Sequence, residues 1–278
     1  MRRLMNRRAM AGCLVALLAF GGAGIAVAQS KSKGKIVADS GRSARVAAEE
    51  VERSIVSKRV SPSAAFAARP PYGRVAAVST KPLAGFPRSG RSFMILSTGN
   101  ATSAGDKNSS GSTSQNAGGP TIRGARDVTI FRINVMAPKK ANCLSFRFRF
   151  LTEEFPEFVN QEFNDAFIAE LDQTTWSSNT IGSPDITAPR NFAVGEQGRR
   201  ISVNGVGATS VSAAEAKGTT YDGATRILRA STPITPGQHR LYLSIFDQGD
   251  RQYDSSVFVD RLTVGRNSSC KSGAVQDQ

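Results

Sequence analysis

The body of the chain, from about Arg91 onward, alternates apolar and polar residues with a period of two. The clearest case is Leu144–Phe150, where leucine and three phenylalanines share one side and serine and arginines share the other. Such alternation is typical of strands with one face in a core. It predicts eight strands, at Ser92–Thr98, Asp127–Val135, Leu144–Phe150, Asp165–Leu171, Arg200–Val206, Arg226–Ala230, His239–Phe246 and Ser256–Val264. Short strands between Gly, Pro and Asn turns, without a helical stripe, predict an all-β domain of the β-sandwich or jelly-roll kind.

The first 28 residues follow a different pattern. Four arginines lie within the first eight residues, and an apolar stretch then ends at Ala26-Val27-Ala28. This order predicts a signal peptide over residues 1–28, cleaved between Ala28 and Gln29, and hence a secreted, extracellular protein. The alternative is a permanent membrane anchor, against which the small residues near the cleavage site argue. No later window is apolar enough to span a bilayer, so no transmembrane segment is expected after cleavage.

The positive charge is unevenly distributed. The whole chain carries +14, and residues 29–90 hold twelve Lys or Arg against four Asp or Glu. We therefore predict a basic, largely disordered lead-in at 29–74, a folded domain at 75–270 and a disordered tail at 271–278. A basic tail on a near-neutral domain favours an anionic surface such as cell-envelope or extracellular polysaccharide, and it does not favour nucleic acid. The alternative is a solvated tail with no specific partner, and the oligomeric state stays open.

Two cysteines remain after signal cleavage, Cys143 and Cys270. An even number in an exported protein predicts a disulfide, and two free thiols are the alternative. If bonded, the pair would close a long loop and stabilise the fold by about 4–5 kcal/mol in the chain-entropy view.

Two segments combine carboxylates and amides in turns beside apolar strands, Thr152–Phe167 and Phe246–Phe258. Clustered carboxylates repel one another unless a cation neutralises them, and Ca²⁺ takes six to eight oxygen ligands. We therefore predict that the two segments meet at one end of the sandwich near a cation, with Ca²⁺ as the candidate cofactor. The predicted ligands are Glu154, Asn164, Asp165, Asp247, Asp250 and Asp254. The alternative is that these are solvated turns in which Asp side chains cap backbone N–H groups.

Several landmarks occur together and in order in this chain: Ile95–Gly99, Glu153–Phe158, Phe163–Phe167, Tyr221–Thr225, and Asp247 to Ser255. In this order they resemble the choice-of-anchor L domain family, and the resemblance covers roughly residues 75–266. It implies an extracellular β-sandwich module, secreted or displayed on a bacterial surface, with no established enzymatic activity. Members differ in their C-terminal anchors. Here, no sorting motif or apolar tail follows Cys270, so release or retention through the basic lead-in is expected.

Catalytic arrangements have less support. A Ser-His-Asp triad would need His239, the single histidine, and no G-x-S-x-G turn accompanies it. Glycoside hydrolysis could use Glu153, Glu154 and Glu157, but adjacent residues on a strand point to opposite faces unless the turn at Pro156 bends them together. We therefore expect a non-catalytic module that binds or structures a cell-surface or matrix ligand. The alternative is a secreted carbohydrate-active hydrolase that uses this acidic cluster.

Overall fold

A computed structural model of the chain describes residues 34–38, 63–109, 113–179 and 186–277. All of these residues belong to a single unit, Lys33–Gln278. The predicted signal peptide at 1–28 and the cleavage site between Ala28 and Gln29 lie outside the described residues.

Strands make up most of the regular secondary structure of the described residues. In chain order these are β1 (Ile36–Ala38), β2 (Ser63–Ala68), β3 (Ala76–Ser79), β4 (Phe93–Ser97), β5 (Arg126–Ala137), β6 (Cys143–Thr152), β7 (Ala166–Leu171), β8 (Ser177–Ser178), β9 (Ile186–Thr187), β10 (Ile201–Ser202), β11 (Val211–Ser212), β12 (Gly223–Thr225), β13 (Leu228–Pro233), β14 (Gly237–Asp247), β15 (Ser255–Gly265) and β16 (Gly273–Gln276). The helical segments within the described ranges are one α-helix, α1 (Ala213–Ala216), and 3₁₀ turns at Ala101–Gly105, Glu196–Gly198 and Gly207–Thr209. None of the described helices is long and apolar enough to cross a bilayer.

Two antiparallel sheets form the sandwich. The larger sheet has nine strands. Seven of them follow the order β1-β3-β4-β15-β6-β12-β11; the other two are β13, which also pairs with β6, and β16, which pairs with β13. The smaller sheet has five strands in the order β10-β7-β14-β5-β2. The predicted all-β sandwich is confirmed.

The core between the sheets comes from the alternation seen in the sequence. Phe146, Phe148 and Phe150 are fully buried on one face of β6. The ring of Phe148 lies 5.2 Å from that of Phe167 on β7, measured between centroids. Alternate residues of β14, from Leu241 to Ile245, fill the same layer. Burying such side chains is the main stabilising term of the fold.

The lead-in and tail contain ordered strands, so the prediction of disorder is wrong for these parts. Within residues 29–74, β2 pairs with β5, and Phe66 packs 5.2 Å from Phe131 between ring centroids. Within residues 271–278, β16 pairs with β13, and Ala274 is buried. Both strands lie at or beside sheet edges and are too short for their alternation to stand out in the sequence.

Two predicted strands differ from the structure. The strand expected at Arg200–Val206 is only Ile201–Ser202, because the backbone turns at Gly205, whose N–H donates to the Ser202 carbonyl over 3.0 Å. A Cβ at Gly205 would lie 2.3 Å from the Thr209 carbonyl oxygen, so this turn requires glycine. The strand expected at Arg226–Ala230 begins later, at Leu228, and extends to Pro233.

Removing residues 29–57 should have a small effect on stability. The deletion takes away β1, which pairs through three residues with β3. Of its side chains, Ile36 packs partly against an apolar cluster while Val37 is 57% exposed. We expect a chain starting at Lys58 to keep the fold and lose about 1 kcal/mol of unfolding free energy in urea titration. Ile36→Ala in the longer chain should account for most of that loss, and a chain that fails to fold cooperatively would contradict the prediction.

Candidate functional site

The two acidic segments meet because each one carries the chain from one sheet to the other at the same end of the sandwich. Residues 153–165 connect β6 in the large sheet to β7 in the small one, and residues 248–254 connect β14 to β15. Thr152 is the register partner of Ser255, and Phe246 is the partner of Ala166. Strands β4 and β5 bring Thr98 and Asp127 to the same end. The two connecting segments therefore lie side by side at this end, although β6 and β14 belong to different sheets.

Four carboxyl groups lie at the centre of this end. Glu154, Asp165, Asp247 and Asp254 are each no more than 1% exposed. The backbone N–H of Asp165 lies 3.4 Å from Glu154 Oε2, and the N–H of Gln248 donates to Asp165 Oδ1 over 3.1 Å. Asp254 Oδ1 accepts from the Gln115 N–H over 3.0 Å. We call these four residues the carboxylate cluster.

Asp247 is the least satisfied member of the carboxylate cluster. Neither of its oxygens has a hydrogen-bond partner of good geometry among the described residues, although the Thr98 hydroxyl is close enough to lower its pKa, and Asp247 is close enough to lower that of Asp165. Oδ2 of Asp165 and Oδ2 of Asp254 are likewise buried and unpaired. Buried, unpaired oxygens are costly, so the cluster should take up a proton or a cation.

Burial raises the pKa of all four carboxyl groups. Desolvation is the largest cause at each position, and it raises the pKa of Asp165 to about 8 and that of Asp254 to about 7. The pKa values of Asp247 and Glu154 are also raised, by burial first and then by the negative charge of Asp165. Near neutral pH the apo cluster therefore holds protons that exposed carboxylates would release.

The two arginines near the carboxylate cluster interact with the flanking carboxylates Asp127 and Asp250. Arg251 forms an ion pair with the buried Asp127, whose pKa is still raised because desolvation outweighs this contact. Half-buried Asp250 accepts from the Gln252 N–H over 3.1 Å, and Arg126 lowers its pKa against the larger effect of burial. Neither arginine is among the groups that set the pKa values of the carboxylate cluster.

The structure brings five of the six predicted ligands together, but Asn164 is used differently. Its Oδ1 accepts a hydrogen bond from the Asn204 N–H over 3.1 Å and so anchors a neighbouring loop. Sequence reasoning missed Asp127, which it assigned only to a strand, and the segment after Thr113, whose N–H groups reach Asp254 and Asp127. The Gly-, Ser- and Asn-rich sequence of this segment could not indicate these contacts, because the donors are backbone N–H groups.

Glycine is required beside the cluster at position 99. A Cβ there would lie 2.0 Å from Asp254 Oδ2. This gives a physical reason for the glycine that ends Ile95–Gly99. As the side chains stand, however, no three Asp, Glu, His or Cys residues of the described segments are arranged to hold one metal ion. Coordination would require the carboxyl groups to turn toward a common point.

The proposed glutamate pair of a hydrolase is inaccessible. Glu153 and Glu154 are 2% and 1% exposed, so in this conformation a glycosidic oxygen could not reach either group. Glu157, the third candidate, lies exposed on the turn.

His239 forms a contact that resembles part of a triad. Its Nδ1 lies 2.9 Å from Asp172 Oδ2, and its Nε2 lies 2.9 Å from the Thr235 carbonyl and 3.3 Å from the Thr235 hydroxyl. Both ring nitrogens therefore lie within hydrogen-bond distance of neighbouring oxygens, and the residue that faces Nε2 is Thr235, not a serine.

The predicted disulfide is confirmed. Cys143 at the start of β6 and Cys270 are bonded, with an S–S distance of 2.03 Å and Cα atoms 5.7 Å apart. The bond fastens the segment that leads into β16 to the large sheet.

The fold and its buried acidic end define an all-β sandwich module, and comparison with known proteins agrees. A sequence model of the choice-of-anchor L domain matches residues 84–263, which contain the whole carboxylate cluster. The chain belongs to the choice-of-anchor L domain family. No curated protein matches it.

Among solved structures, the carbohydrate-binding module TmCBM61, in complex with β-1,4-galactotriose, aligns with the chain. The identity is 9% and the TM-score is 0.29, over 73% of this chain and 87% of the other. At that level of similarity nothing about its ligand is transferred to this chain.

Proposed function

We propose that the protein is a secreted, non-catalytic β-sandwich module that binds or structures an extracellular ligand, and that Ca²⁺ stabilises the end of the sandwich formed by the carboxylate cluster. The observation that carries the calcium part is Asp247, whose two oxygens are buried without good hydrogen bonds beside Asp165 and Asp254. A hard cation would supply the positive charge that neither Arg126 nor Arg251 provides to these groups.

Binding would convert a set of protonated acids into a charged coordination sphere. Carboxylates must lose their protons before they ligate a cation, so calcium and protons compete for the same oxygens. The hydroxyl of Thr98 is a neutral oxygen close to Asp247 that could join the coordination sphere. The carboxyl groups would have to turn toward a common point to complete the site.

The non-catalytic part is supported by the inaccessible Glu153 and Glu154 and by the doubly engaged ring of His239. Family membership supports an extracellular location without naming a ligand.

Direct metal analysis tests the calcium proposal. Mature protein dialysed against calcium should retain about one calcium per chain, whereas Asp250→Ala should retain less, because Asp250 lies within electrostatic reach of Glu154 and Asp165. Asp106→Asn, an exposed acidic residue on another loop, is the matched control and should behave like the unchanged protein. Equal retention by both variants, or none in the unchanged protein, would reject the site. Release of reducing sugar from polysaccharides would reject the non-catalytic assignment.

A further inference from the structure

The outer face of the large sheet carries a concentration of arginines away from the carboxylate cluster. Arg229 on β13 and Arg147 on β6 are direct cross-strand partners, and Asp260 on β15 is the next residue in the same row. Arg261 follows at the bulge of β15, and Arg88 reaches the row from a loop. We call Arg88, Arg147, Arg229 and Arg261 the arginine face.

Like charges directly opposite one another destabilise a sheet. The pKa of Arg147 is lowered by burial first; Asp277 is the next largest influence and opposes the shift, and Arg261 and Arg229 add smaller contributions to it. Asp260 is a single carboxylate among these four arginines: it attracts Arg261, and its Oδ2 accepts the backbone N–H groups of Arg88 and Ser89 over 2.6 and 2.7 Å. The arginine face therefore needs a further anion.

Asp277 supplies that anion from the segment after β16. Its Oδ1 lies 2.6 Å from Arg147 Nε, and its Oδ2 lies 3.3 Å from Arg88 Nη2. Asp277 also raises the pKa of Arg147 through a hydrogen bond, although Nε is not well aligned with the carboxylate. Asp277 belongs to a segment attached through the four-residue strand β16, and its backbone N–H donates to the Ile227 carbonyl over 2.9 Å.

A row of hydroxyl groups lies next to the arginines on the same face. Ser145 is the register partner of both Ser231 and Thr263. The Ser145 and Thr263 hydroxyls are 3.0 Å apart, and all three residues are partly exposed. Guanidinium groups bind carboxylates in a planar, bidentate manner, and neighbouring hydroxyls can bond sugar hydroxyls.

We propose that the arginine face binds the carboxylate groups of an acidic, uronic-acid polysaccharide, and that Asp277 occupies the position of a ligand carboxylate until such a ligand displaces it. This names a ligand class for the proposed non-catalytic module, rests on that role, and does not require calcium.

Binding to polygalacturonate tests the proposal, with its methyl-esterified form as the matched neutral polymer. The mature full chain is used, in chelator, so that calcium at the other site does not contribute. We expect binding to the free-acid polymer and at least tenfold weaker binding to the ester. Arg229→Gln should weaken binding about tenfold, and Asp277→Asn should strengthen it severalfold because the internal competitor loses its charge.

Arg240→Gln is the control, because Arg240 is an exposed arginine on β14 of the opposite sheet, and it should change affinity less than twofold. Arg261→Gln repeats the test at an exposed position should Arg229→Gln disturb folding. If Arg240→Gln lowered the affinity as much as Arg229→Gln and Arg261→Gln do, the polymer would be attracted by overall charge, and the proposal would be overturned. Unchanged affinity in a folded Asp277→Asn would overturn the displacement step. Calcium retention is measured separately, so failure here leaves the calcium site untouched.

Discussion

In the presence of a chelator, raising the pH from about 5 to about 8 is expected to lower the free energy of unfolding by at least about 3 kcal/mol, or roughly 10 °C in Tm. The cause is the carboxylate cluster. Burial raises the pKa of Asp165 to about 8 and that of Asp254 to about 7, whereas both groups titrate near 3.9 in an unfolded chain. Between these values the folded protein binds more protons than the unfolded one, so stability is present at low pH and is lost as the pH rises through the folded pKa.

Calcium should reverse this loss. At about pH 8 the cation replaces the missing protons, and a calcium concentration one hundred times the dissociation constant adds about 2.7 kcal/mol. At about pH 5 the same concentration should add much less, because protons hold the oxygens. Urea titrations at both pH values, with calcium and with chelator, measure the four stabilities.

Asp247→Asn isolates the cluster from other titrating groups. Asp247→Asn removes a carboxyl group that becomes charged beside Asp165 and Asp254 as the pH rises, so it should stabilise the apo protein at about pH 8, flatten its pH profile and reduce the calcium effect. Asp106→Asn, at an exposed position, should leave all three unchanged. A pH profile that is the same in Asp247→Asn as in the control would place the titration elsewhere.

Replacing Cys143 and Cys270 together with serine is expected to cost about 4–5 kcal/mol, because the unfolded chain regains the freedom of a loop spanning 127 residues. The loss should appear as a lower urea midpoint. The native strands themselves are retained, since the disulfide lies outside the core formed by Phe146 and Phe148.

Reductant provides the matched control. It should lower the midpoint of the unchanged protein to that of the double serine variant and leave the variant unaffected. Hydrogen exchange should rise first in β16, because Cys270 precedes that strand and Ala274 is its buried residue. An unchanged midpoint in reductant would show that the bond adds little.

The sequence alone was sufficient for the features that depend on local periodicity and on residue type. The alternation from Leu144 to Phe150 predicted one buried face, and β6 has that face in the core. Two cysteines in a chain predicted to be exported indicated a disulfide, and the bond is present. The landmarks around Glu154 and Asp247 indicated the family, which the match over residues 84–263 confirms. These features need no knowledge of which strands are neighbours.

Tertiary structure decided what depends on contacts between distant segments. The acidic turns meet through two crossovers between sheets, a relation that spacing along the chain does not contain. Asp127 lies beside the acidic turns because β5 begins at the same end of the sandwich. Asn164 instead accepts a hydrogen bond from the Asn204 N–H. Short edge strands such as β2 and β16 depend on their partners for order, so their own sequences resemble linkers. Burial, which raises the pKa values of Asp165 and Asp254, is likewise a property of the assembled sandwich, because desolvation arises only when both sheets close over the carboxyl groups.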